Sequence, residues 1–338
     1  MPRIHAHQLA AAVARHGGLA AVIAAATLWG LGGTLASKLF GQGADPLEVV
    51  AFRTWIALAG LAVLSALARR RAAGADQRTG PARPKAPVPW LWVIGFGVSV
   101  SVANAGLFLA IQRLPVAVAL VLQNLAPAFV MAWTLAATRR APSLRMLAGL
   151  AAALVGVALV VELPTTPLDG LDLPGIGFGL LTAAGVACFS AFGGHAARVC
   201  GALTANTWAF GVAGALWLAF QAAHGVPELF HHPRLLLGAA VIGVFGTLLP
   251  FLLYSWGTAR VGAQAGAVNI SLEPLAGAVL AWAWLGQALN ALQLVGTAVL
   301  LGGIVHLQRA ERREPLARPV PAADSPRPLP GDRPKARL

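Results

Sequence analysis

Apolar residues in this chain come in long runs rather than in alternation or at helical three-to-four spacing. Ten such runs are centred near residues 18–38, 46–68, 90–111, 115–137, 144–162, 174–193, 203–223, 235–257, 262–284 and 288–307. A bilayer's hydrocarbon core is roughly 30 Å thick and a helix rises about 1.5 Å per residue, so roughly 20 apolar residues cross it. Each run meets or approaches that length, and polar residues gather between the runs. Inside lipid every backbone amide must be bonded within its own segment, which a helix achieves and an open strand does not. The pattern predicts an all-α polytopic membrane protein with ten transmembrane helices.

The basic positions then set an orientation. With the N-terminus inside, the 25 Lys and Arg residues fall on the inner side except for Lys38, Arg113 and Arg234, which face out, and Arg53, which lies within the second run. Basic residues favour the cytoplasmic flanks of membrane helices, so the expectation is N-in, C-in, in a bacterial cytoplasmic (plasma) membrane. The first run exceeds 20 residues and contains Trp29 and Lys38. It lacks a short apolar segment ending at a small-residue cleavage site and reads as a helix that stays. Residues 1–17 form a cytoplasmic N-terminus. Residues 69–89 and 308–338, rich in Arg and Pro, form a long inner loop and a tail without apolar periodicity.

Composition narrows the class further. Hydrophobic residues make up 57% of the chain and charged residues 11%, against about 25% charged in a soluble domain. The net charge of +13 sits in linkers and tail rather than over one face, which argues against a nucleic-acid partner. Cys188 and Cys200 are isolated, with no spacing that would hold a metal.

The chain also matches itself. Shifted by 147 positions, residues 113–156 lie on 260–303 without a gap, pairing Arg113 with Arg260, Pro127 with Pro274, Gly149 with Gly296 and Gly156 with Gly303. Nearer the N-terminus the shift is 160, pairing Trp29 with Phe189, Gly33 with Gly193 and Lys38 with Arg198. The predicted units are residues 18–162 and 163–307, five helices each. An odd number of spans makes the second unit enter from the opposite side, so the two repeats are inverted. That architecture recurs in secondary transporters, with a substrate site near the midplane where the halves meet.

Several segments then become recognisable together: ATLWGLGGTLASK (26–38), AFRTWIA (51–57), LAPAFVMAW (125–133), GLAAALVGVALV (149–160) and SLEPLAGAVLAWAWLGQAL (271–289). In this order they resemble the EamA-like family of the drug/metabolite transporter superfamily, over residues 18–307. The resemblance implies a transporter, usually an exporter, of small polar metabolites, amino acids or amphipathic drugs. Members often carry a glutamate in the loops after the fourth and ninth helices, where this chain has Arg140 and Gln287.

Candidate substrate-binding residues follow from polarity at membrane depth, where it is costly. Glu273 lies near the middle of the ninth run beside Pro274, whose ring frees a backbone carbonyl in the preceding turn. Its functional reading is contact with a substrate ammonium or a coupled proton. Its structural reading is a cap, or pairing with a buried arginine. Arg53 is the candidate ion-pair partner, roughly 10 Å below the outer surface against roughly 16 Å for Glu273; the alternatives are snorkelling or pairing with Glu48 or Asp45. Gln123 and Asn124 correspond through the repeat to Ile270 and Ser271, so both halves place polarity just before a helix-breaking proline, and Asn269 and Ser271 are the candidates of the ninth run. Asn104 and Tyr254 complete the set, and Trp29 offers a mid-span aromatic wall. The glycines at 149/156 and 296/303 give small faces suited to close helix packing or to a homodimer.

No HExxH, GxSxG or P-loop is present in the sequence, so no enzyme chemistry, cofactor or metal is expected. The expected partners are the bilayer and a small-molecule substrate. Without a nucleotide-binding motif, active transport would draw on a gradient.

Overall fold

The computed structural model describes residues 2–76, 87–138, 143–165, 167, 171–261 and 272–313. Helices joined by short turns make up the described residues, and no strand occurs among them. The first half holds α1 (Pro2–Phe40), α2 (Pro46–Asp76), α3 (Trp90–Arg113), α4 (Val116–Gln123), α5 (Ala126–Thr138) and α6 (Leu144–Val160). The second holds α7 (Leu173–Cys200), α8 (Ala202–His224), a 3₁₀ turn (Glu228–His231) and α9 (Pro233–Gly243). A π-helical turn (Val244–Leu248), α10 (Leu249–Val261), α11 (Glu273–Leu285) and α12 (Ala291–Arg313) complete it.

Each of the ten apolar runs carries helix. Among the described residues, seven helical segments are long and apolar enough to cross a membrane, while Leu144–Val160 and Ala291–Leu307 are shorter apolar helices. Among the described residues, two runs are not plain helices. The fourth is interrupted between α4 and α5 by a turn at Asn124–Leu125, with Pro127 in the first turn of α5. The eighth contains the π turn. Of the ninth, α11 begins at Glu273, and Pro274 sits at its start, where a missing N–H costs nothing; residues 262–271 lie outside the described set.

The halves interlock rather than sit side by side. α6 packs on α12, α3 on α7, α1 on the π turn and α10, α2 on α8, and α4 on α11. Exchanging each element for its repeat equivalent turns the α3–α7 pair into the α10–α1 pair and leaves α6–α12 and α2–α8 unchanged. The α6–α12 contact is made by the repeated glycines. A methyl group at Gly303 would lie 3.0 Å from the Gly149 carbonyl oxygen, and one at Gly296 would lie 2.9 Å from that of Gly156. The two helices therefore run antiparallel with backbones touching, the small-residue packing that membrane helices use.

One end of the molecule, where α1 finishes and α2 starts, is tied across by polar groups. Both carboxylate oxygens of Glu48 accept second-half amides, from Glu228 and Leu229, at 2.9 Å each. Gln287 accepts the Val116 N–H at 3.1 Å and donates to the Ser37 hydroxyl at 3.4 Å. Arg113 pairs with Asp172 at 3.5 Å, Asn290 donates to Glu162, and the Lys38 ammonium lies 4.6 Å from the Trp284 ring centre. Position 287, where the resembling family often has glutamate, thus acts as an acceptor that caps α4, and a glutamine supplies that oxygen equally well.

Candidate functional site

The candidate site is organised by α1, because glycines let two other elements reach its backbone. A methyl at Gly30 would lie 2.7 Å from the Gly277 nitrogen and 3.1 Å from the Glu273 carbonyl oxygen. One at Gly32 would lie 2.9 Å from the Gly246 Cα. The Trp29–Gly33 stretch of α1 is therefore held between the first turn of α11 and the π turn, which brings Glu273 and Thr247 to the same level of the molecule.

Thr247 is 1% exposed and its hydroxyl has two tasks. It donates to the Ile242 carbonyl five residues back, at 3.3 Å, as the widened turn allows. It also accepts the Nε–H of Arg53 from α2, at 2.8 Å. The Arg53 guanidinium lies over the Phe108 ring of α3, 4.5 Å from its centre, a cation–π contact that gains strength where water is excluded. Arg53 is 6% exposed. It does not meet the two nearby acids: Asp45 caps its own helix through the Leu47 and Glu48 amides, and Glu48 binds the 3₁₀ turn.

Glu273 is 7% exposed, at the first residue of α11. The amide end of Gln123, the last residue of α4, lies 3.4 and 3.5 Å from its two carboxylate oxygens. The break after α4 makes this possible, because it ends the helix with Gln123 aimed at the other half. The positive end of the α11 dipole favours a carboxylate there. No ion pair between Arg53 and Glu273 occurs among the described residues, in contrast to Arg113 with Asp172. Each buried charge is anchored by a neutral group instead.

The other sequence candidates divide. Trp29 is half-buried; it packs edge-on against Phe251, with ring centres 5.4 Å apart, and at a tilt against Tyr254 at 5.6 Å. Asn104 and Asn124 each donate to a carbonyl one turn back in their own helix, Val100 and Leu120, at 2.8 Å. Pro127 is half-buried and Pro274 buried, each in the first turn of its helix. Asn269 and Ser271 lie outside the described residues. The structure thus joins Gln123 to Glu273 and Trp29 to Tyr254.

Thr247 and Phe108 join the site without having been singled out from the sequence. A signal for Thr247 was available in Pro250, which has no N–H to offer the carbonyl of Gly246 four residues back and so favours a locally widened helix. Nothing in the spacing marks Phe108.

A model described as the EamA-like transporter family matches residues 16–162 and again residues 173–308. The chain belongs to the EamA-like transporter family. Its relatives include an uncharacterized inner membrane transporter, YicL, of Salmonella typhimurium, 26% identical over 61% of this chain and 68% of that one. An uncharacterized transporter of Archaeoglobus fulgidus is 26% identical over 85% of this chain and 95% of its own length. Protein PecM of Dickeya dadantii is 27% identical over 73% and 82%. One crystal structure superposes with a TM-score of 0.54 at 20% identity, over 90% of this chain and 99% of that one, a likeness of fold. The EamA-like chain is accordingly a multi-pass membrane transporter, and its two family matches each contribute one of the buried charges.

Proposed function

We propose that this protein is a secondary transporter of the bacterial cytoplasmic membrane that exports small polar or amphipathic metabolites. It works with ten spans in two inverted five-helix repeats and both termini inside. The observation that carries this reading is the pair Arg53 and Glu273: opposite charges, one from each half, buried at the level where α1 is gripped between the π turn and α11, and not in direct ion-pair contact. Charge at membrane depth is expensive and marks pathways and substrate sites. The exchange of packing pairs between the halves supports inversion, because a two-fold in the membrane plane maps α3–α7 onto α10–α1. The interrupted fourth and eighth runs supply the broken helices at which such transporters bind substrate. The outward direction follows the usual sense of the family that the motifs resemble.

The direct test is reconstitution. Metabolites that accumulate outside cells carrying the protein, and not outside cells lacking it, are labelled and offered to liposomes containing purified protein. Counterflow of at least one of them, absent from protein-free liposomes, is the expected result. Chemical turnover without vectorial movement, or no movement of any metabolite, would overturn the reading.

A further inference from the structure

We propose that the cavity between the ends of α1, α3 and α11 and the start of α4 holds the phosphate of an anionic phospholipid, with Lys38 and Arg113 as its contacts. The acyl chains of that lipid lie along the exposed apolar face of α11. This site requires only that the chain spans a membrane; it depends neither on the direction of transport nor on the solute.

Two cavities open at the end where α1 finishes, adjoining at Gln42, and their charges differ. The larger, about 940 Å³, has Arg234 on a wall shared with Asp45, Glu48 and Glu228, so acids outnumber its arginine. The second, about 620 Å³, has Lys38 and Arg113 on its wall and no carboxylate among its described lining residues. Small-ligand sites occupy about 300–1,000 Å³, so this space is large enough for a headgroup. Basic residues ordinarily stay on the inner flanks of membrane helices. With both termini inside, Lys38 and Arg113 lie on the outer flank, where orientation of the chain does not account for them.

Both cations keep donors for a ligand. Arg113 meets Asp172 through one terminal amine, at 3.5 Å, and the other oxygen of Asp172 accepts the Gly175 amide at 2.8 Å as the cap of α7. The guanidinium therefore lacks the two parallel bonds that would close its fork. The Lys38 ammonium lies 4.6 Å from the Trp284 ring centre and forms no ion pair among the described residues. Gln287 caps α4 with a neutral oxygen, so the polar part of the wall adds no negative charge. With Asp172 set against Arg113, one positive charge is left over, that of Lys38. A phosphodiester carries one negative charge and matches it.

The surroundings select a lipid over a dissolved phosphate. Lys38 lies in the last turn of α1, Arg113 is the last residue of α3, and Trp284 lies in the last turn of α11. Three helices thus end at this level, and a partly exposed tryptophan there marks the headgroup boundary. Leading away from it, Leu275, Val279 and Trp282 follow one face of α11 at four- and three-residue spacing, exposed by 58%, 53% and 63%. That stripe offers acyl chains an apolar track ending beside the cavity. Basic pockets between membrane helices take anionic headgroups by the same combination of charge and depth.

The experiment titrates full-length, delipidated protein in detergent with phosphatidylglycerol, which is anionic, or phosphatidylcholine, which is zwitterionic, and counts bound lipids by native mass spectrometry. The first phosphatidylglycerol should bind about 5- to 30-fold more tightly, because each basic residue beside an anionic headgroup is worth about fivefold. Lys38→Gln and Arg113→Gln should each lower that preference about fivefold. Gln287→Glu keeps an acceptor for the Val116 amide, so α4 stays capped, but it adds a negative charge to the wall and should bring the preference close to one. The basic loop at 69–89 and the tail are the same in every variant, so differences between variants report the cavity. Equal binding of the two lipids by wild type would overturn the proposal, as would an unchanged preference in monodisperse Lys38→Gln and Gln287→Glu proteins. Displacement of the first lipid by an equal concentration of glycerol 3-phosphate would assign the cavity to a free phosphate and overturn the lipid claim.

Discussion

Neighbouring glycines on α12 allow a controlled test of how the halves are held together. Gly302 has open space where a side chain would go, whereas a methyl at Gly303 would lie 2.7 Å from the Ala153 nitrogen and 3.0 Å from the Gly149 carbonyl oxygen. Carbon in good contact sits about 3.5–4.0 Å from a neighbour, so Gly303→Ala must push α12 off α6 by several tenths of an ångström. The obstructing atoms are backbone, and no rotamer change relieves them. Overpacking of this kind costs about 1–3 kcal/mol. Either replacement also gains up to about 1 kcal/mol of helix propensity, a term that cancels when the two variants are compared. Gly303→Ala should therefore be less stable than Gly302→Ala by about 1–3 kcal/mol, with Gly302→Ala at or slightly above wild type. Gly156→Ala, the repeat equivalent, would place its methyl 2.4 Å from the Leu300 nitrogen and should behave like Gly303→Ala. The assay is the fraction of monodisperse protein surviving a heating series in detergent, by fluorescence-detected size exclusion. Equal survival of the Gly302 and Gly303 variants would refute the claim that the α6–α12 crossing is a backbone contact.

Two further outcomes follow from the fold. Reporter fusions at residues 80 and 168 should report opposite sides of the membrane, with 80 inside; both on one side would contradict the inverted arrangement. Glu48→Ala removes the acceptor of two amide bonds at 2.9 Å, so hydrogen exchange at Glu228 and Leu229 should rise about tenfold, the equivalent of about 1.4 kcal/mol; unchanged exchange would show that the carboxylate does not hold that end closed.

Much of this organisation is legible in the sequence because membranes impose coarse rules. Helix position follows from run length, and the duplicated Gly149/Gly156 and Gly296/Gly303 register marked the helix faces that meet. Pro127 and Pro274 were legible as sites of irregularity, though Pro274 turns out to open α11 rather than interrupt it. Gln123 and Glu273 were both candidates, but their contact, 150 positions apart in the chain, depends on how the halves interlock, and no single-sequence periodicity encodes that. Arg53 was ambiguous for a related reason. A lone arginine near a helix end can snorkel, and it takes the hydroxyl presented by a π turn in the other half, together with the Phe108 ring, to hold it buried. Asn104 and Asn124 show the converse limit: an amide at membrane depth looks like a site, yet its own helix's carbonyls can satisfy it.

The most direct measurement of the central claim is counterflow by Glu273→Gln protein reconstituted beside wild type. Arg53 is anchored by Thr247 and Phe108 rather than by Glu273, so removing the carboxylate's charge should not strand a paired arginine. The variant should reach the membrane and purify as a folded protein, and it should fail to exchange labelled solute at any pH. Wild-type counterflow by the folded variant across the pH range would contradict the account and remove Glu273 from the transport site.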